Sequence, residues 1–151
     1  MSIAISLHVL FVVIWVGGMA FAMLVLRPVV ADQLEPPKQA AFMTAVLKRF
    51  FILVWHAIII IPVTGFWAIF SGYGGFSALG PHIHYMIGIG SLMILIFLYL
   101  YFFTFIPFKT ALAAGDKEKA GTLMGRMRTL IWTNLGLGIS VVLVASFGSY
   151  V

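Results

Sequence analysis

Four long apolar runs, separated by short polar stretches, set the pattern of the chain. They extend from about Ile3 to Leu26, Arg49 to Phe70, His82 to Phe108 and Leu130 to Val151. A helix crossing a bilayer needs about 20 mainly apolar residues, so each run predicts a transmembrane α-helix. The third run is the longest and predicts tilt or protrusion. Arg27-Pro28 is expected to end the first helix, because proline disfavours helix in the residue before it. Glu35-Pro36-Pro37 reads as a polar turn, and Lys38 to Lys48 as an amphipathic lead into the second span. Ser71 to Pro81 is a glycine-rich connection without charge. Lys109 to Arg128 contains a turn at Gly115-Asp116, then a short polar helix. Pro62 lies inside the second span, where membrane helices tolerate it if other groups satisfy the freed carbonyl. No internal repeat is evident. The expected fold is all-α, an integral membrane four-helix bundle forming one domain over residues 1–151.

Composition assigns the solvent. Of 151 residues, 63% are hydrophobic and 9% charged, against roughly 25% charged in a soluble domain. Too little polar surface exists to cover a globule in water, so the partner is the lipid bilayer. The net charge of +5 does not indicate nucleic acid, because the basic residues sit in short loops beside apolar runs. All nine, namely Arg27, Lys38, Lys48, Arg49, Lys109, Lys117, Lys119, Arg126 and Arg128, fall in the first and third connections. By the positive-inside rule those loops are cytoplasmic. Both termini and the Ser71–Pro81 loop are then outside, or periplasmic in the expected setting of a bacterial inner (plasma) membrane. The first run lacks a basic n-region and is too long for a signal-peptide core, so it reads as a mature helix. The absence of cysteine excludes thiolate metal sites and covalent haem attachment.

Ionisable groups within a span default to function. Here they are all histidines: His8 on the first helix, His56 on the second, and His82 and His84 at the start of the third. No Asp or Glu lies in any span, which disfavours a carboxylate relay and leaves no hydrolytic acid/base pair. His8 lies roughly 8 Å below the outer end of its helix, at 1.5 Å per residue, and His84 is similarly shallow. His82 is at the water boundary, and His56 lies roughly 20 Å down. Two neutral imidazoles at one depth on different helices are what a b-type haem needs. His8 and His84 are therefore the expected axial ligands, with His56 a further cofactor-binding candidate.

Trp15 is two turns below His8 on the same face, and Arg49 is two turns from His56 and placed for an anionic group such as a propionate. The bland readings are that Arg49, Tyr73, Tyr85, Trp132 and Tyr150 anchor the interface. Glycines such as Gly17, Gly18, Gly88, Gly90, Gly136 and Gly138 would then serve close packing. Copper is the alternative occupant, since imidazole suits it. His82 and His84 do not share a helical face, and Met19, Met23, Met86 and Met93 are also common core filler.

Leu7-His8, followed by Trp15-Val16-Gly17-Gly18-Met19, resembles the start of two membrane groups, the copper-resistance D family and the HemJ-type protoporphyrinogen oxidases. Lys48-Arg49-Phe50 and Thr64-Gly65 are similar to the copper-resistance D pattern. His84 opening the third span is similar to the HemJ-type motif, although Met86 stands where that group has lysine, and Arg27-Pro28 where it has Pro-Arg. The HemJ-type resemblance implies His8 and His84 as a haem pair, and the copper-resistance resemblance implies copper handling. The leading expectation is a membrane b-type haem protein exchanging electrons with a quinone, porphyrinogen or small oxidant. The alternatives are a copper-binding or copper-transport protein and a non-catalytic membrane subunit.

Overall fold

A computed structural model describes residues 2–72 and 74–148. Tyr73 and Tyr150, read above as interface anchors, and the end of the fourth run lie outside them. The chain is all-α over these residues, and four helical stretches are long and apolar enough to cross a membrane: Ile3–Gln33, Pro36–Gly72, Pro81–Ala113 and Lys117–Gly148. It divides into two compact units at Gly80, and each unit is a helical hairpin.

In the first hairpin, α1 (Ser2–Phe21) passes through a π-helical turn, Ala22–Leu26, into α2 (Arg27–Gln33), and α3 (Pro36–Gly72) returns. The expectation that Arg27-Pro28 ends the first helix is corrected here. Arg27 keeps helical angles, and its N–H reaches the Ala22 carbonyl five residues back. Pro28 has no N–H for the Leu24 carbonyl, and its ring would press on that group. The wider turn accommodates the proline without stopping the helix. The chain turns only at Leu34, which is extended. The Gln39 amide caps the turn by donating to the Leu34 carbonyl at 2.7 Å. Lys38 to Lys48 is continuous with the second span, as its amphipathic pattern implied. The seam is built from Trp15, Met19, Ala22 and Met23 against Leu47, Phe51, Val54 and Ala57, all buried. Gly18 lets the Phe50 ring lie directly on the α1 backbone, where a Cβ would overlap it.

The second hairpin repeats this order. Helix α4 (Pro81–Leu100) enters a π turn, Tyr101–Phe105, and continues as α5 (Ile106–Ala113) before α6 (Lys117–Gly148) returns. The π turn again stands just before a proline, Pro107, and the Ile106 N–H bonds the Tyr101 carbonyl. So the chain does contain a repeat, of two helix–π turn–proline–helix hairpins, carried by backbone geometry with little residue identity. The short polar helix expected after Gly115-Asp116 is the start of α6. Gly115, at φ 73°, gives the left-handed turn that closes α5. Asp116 Oδ1 then accepts the Lys119 N–H at 3.0 Å and caps α6.

The α6 seam residues Ala120, Leu123, Met127, Ile131, Asn134 and Gly138 are buried at steps of three or four residues, with Leu135 buried beside them, which keeps one face toward α4 and α5. Asn134 donates to the Met93 carbonyl at 3.3 Å, while its Oδ1 is buried without a partner among the described residues. Leucine at this position gives up a bond worth about 0.6 kcal/mol in a membrane. It also removes an orphaned acceptor costing about 1–3 kcal/mol. Asn134→Leu is therefore expected to raise the thermal midpoint in detergent. A fall would show that Oδ1 is satisfied in the solubilised protein.

Candidate functional site around His8

The chemistry-bearing cluster of the first hairpin forms where α1 passes the C-terminal half of α3. His8 is half-buried. Its Nδ1 lies 3.0 Å from the Ile61 carbonyl and 3.3 Å from Thr64 Oγ1. A carbonyl can only accept, so Nδ1 carries the proton and donates. Thr64 directs its own hydroxyl hydrogen to the Ile60 carbonyl at 2.6 Å, which leaves its oxygen lone pairs toward the imidazole. With Nδ1 protonated, the neutral ring presents Nε2 as a bare lone pair. Metal-ligating histidines are held in this way, the second nitrogen donating to a carbonyl that sets ring orientation and tautomer.

Gly65 makes the close approach possible. A Cβ there would stand 3.2 Å from His8 Cε1 and 3.4 Å from Nδ1, tighter than a side chain normally sits. Thr64 and Gly65 thus act as a pair. Threonine, buried in the seam, supplies the polar contact, and glycine supplies the room. Pro62 lies between the carbonyl that His8 uses and Thr64, within an otherwise continuous α3.

The other candidates do not join this cluster within the first hairpin. Trp15 is buried in the seam, but seven residues along α1 place it roughly 10 Å deeper. Met19 is roughly 16 Å from the level of His8. His56 is exposed, and its Nδ1 donates within its own helix to the Ile52 carbonyl at 2.7 Å. Its neighbour Ala57 is the residue that faces α1, fully buried, so His56 points away from the seam that holds His8. Arg49 is also exposed, on the same side of α3 as His56.

In the second hairpin, His84 is exposed on the first turns of α4, and His82 is half-buried. His82 packs so closely on Gly148 that a Cβ there would overlap it. Both lie in regular helix from Pro81 onward, which sends them to different faces. Beside them, the Tyr85 hydroxyl donates to Ser140 Oγ at 3.0 Å, and Ser140 donates to the Leu137 carbonyl. Among the described residues no three His, Asp or Glu side chains gather at one point.

Sequence reasoning missed the Ile61 carbonyl, because nothing in a residue string marks a backbone acceptor. It also missed Asn134, although an amide inside an apolar run is a readable signal.

Comparison with known proteins gives one family. The profile described as "Copper resistance protein D" matches residues 44–147, more than half of the chain. The match covers Arg49, His56, Thr64, Gly65, His82 and His84. It begins after the Leu7 to Met19 stretch that holds His8. No curated protein and no solved structure matches. With four membrane-length helices, this multi-pass membrane protein belongs to the copper resistance protein D family.

Proposed function

We propose that the chain handles copper at the membrane and takes the ion as cargo through His8 Nε2. The family supports copper over haem as the occupant. The observation carrying the residue assignment is the donor bond from His8 Nδ1–H to the Ile61 carbonyl, which aims a preorganised lone pair. Imidazole is a good copper ligand, and one oriented imidazole at a shallow depth suits an ion that must be released as well as bound. Orientation follows from charge. The cations of each hairpin gather around its own turn, and the positive-inside rule supports a cytoplasmic side for that end, with His8 in the outer half.

The test is to purify the whole chain in detergent from copper-supplemented cells and measure bound metal and the visible spectrum together. Stoichiometric copper in a colourless sample supports the proposal. Reduced-minus-oxidised b-type bands would replace it with the haem reading, for which His8 would be an axial ligand. His84→Ala, made in parallel, reads out the contribution of the second hairpin.

Gly65→Ala gives a finer check. The added methyl presses on the imidazole and shifts it off the Ile61 carbonyl. Loss of such an orienting partner costs about 10–100-fold in metal affinity. Copper affinity should fall by about ten-fold while the helical content stays the same. Competition with a copper(I) chelator measures it.

A further inference from the structure

The charged end of each hairpin is stratified. In the first hairpin, Asp32, Glu35 and Lys38 sit at the tip, and Arg27, Lys48 and Arg49 lie higher. In the second, Asp116, Lys117, Glu118 and Lys119 sit at the tip, and Lys109, Arg126 and Arg128 lie higher. All four acids of the chain are at the tips, which are close to neutral. Six of the nine cations form the upper layer with no acid among them. Lys48, Arg49, Arg126 and Arg128 are exposed. No Asp or Glu stands three or four residues from any of them, the spacing that would pair them along the helix.

The height of that layer is informative. Helix α3 has 37 residues and α6 has 32, or roughly 55 and 48 Å at 1.5 Å per residue. A hydrocarbon core is about 30 Å thick, so each helix extends roughly 20 Å beyond it. Lys48 and Arg49 lie roughly 18–20 Å from the start of α3, and Arg126 and Arg128 roughly 14–17 Å from the start of α6. The cations therefore stand at the edge of the hydrocarbon, at the depth of lipid phosphates. Trp132, exposed one turn beyond Arg128 on the same side, is the aromatic expected at that boundary.

We infer that the upper layer of each hairpin is a binding site for anionic phospholipid headgroups of the leaflet at its charged end. The cations meet the phosphates at their own depth, and the acids are kept away from them at the tips. The inference is independent of what His8 binds.

The test is the association of spin-labelled phosphatidylglycerol, relative to spin-labelled phosphatidylcholine, with the full chain in phosphatidylcholine bilayers. Wild type should prefer phosphatidylglycerol. Two variants remove the same charge from the same hairpin: R126Q/R128Q from the upper layer and K117Q/K119Q from the tip. The upper-layer variant should lower the preference several-fold, since a cation at the surface contributes about five-fold, and the tip variant should leave it near wild type. Equal losses in both variants would reduce the effect to net charge and overturn the inference. So would a wild type with no preference. Helical content by circular dichroism confirms that each variant is folded.

Discussion

His8→Ala is expected to abolish copper binding, at least about 100-fold, without unfolding the first hairpin. Removing an orienting partner alone costs about 10–100-fold, and removing the ligand must cost more. The structural cost is small. One hydrogen bond to the Ile61 carbonyl is lost, and such bonds in membranes average about 0.6 kcal/mol. The seam below, from Trp15 to Met23, is untouched. His8→Gln sharpens the result. Its amide can donate to the same carbonyl, so packing is kept while the imidazole lone pair is gone. Copper titration of both variants in detergent, alongside thermal unfolding, is the measurement. Wild-type affinity in either variant would remove His8 from the site.

Gly18→Val is expected to destabilise the first hairpin. The Phe50 ring occupies the place where a side chain on Gly18 would go, and Phe51 beside it is buried. The Phe50 ring is half-buried, so it can relieve part of the overlap only by swinging off the α1 backbone and giving up its packing there. Overpacking of this kind costs about 1–3 kcal/mol, and a β-branched side chain stiff at χ1 leaves the movement to the ring. Gly17→Val is the control, since a Cβ there meets nothing within 4 Å. It should change the thermal midpoint little. Trimming the opposing ring, as in Gly18→Val with Phe50→Leu, should recover part of the loss, because residues in contact couple. Additive losses in the double variant would mean that the two residues do not meet.

The four helices were legible because each rests on a run of apolar residues, and lipid accepts any face of such a run. The ends were less so. Arg27-Pro28 reads as a stop, yet a π turn lets the helix continue to Gln33. That depends on which carbonyl the Arg27 N–H finds, a choice among neighbouring acceptors that residue types do not reveal. The repeat of the two hairpins was hidden for the same reason, since Ala22–Leu26 and Tyr101–Phe105 share a backbone shape and almost no residues.

At the site, Leu7-His8 and Thr64-Gly65 were both visible as motifs, but nothing in their spacing joined them. Their union needs contact across 56 positions. The expected pairing of His8 with His84 rests on depth along their helices and on the HemJ-type resemblance. For His56, depth was readable and direction was not.

The sequence by itself determined the solvent, the number of spans and the end that carries charge. These follow from composition summed over twenty residues at a time, where no single contact matters. Only the tertiary structure decided which His8 nitrogen holds the proton, which glycines are close approaches and which way His56 faces. Each of these depends on a partner on another helix or another turn, brought within about 3–4 Å by packing. That packing arises from where the helices cross.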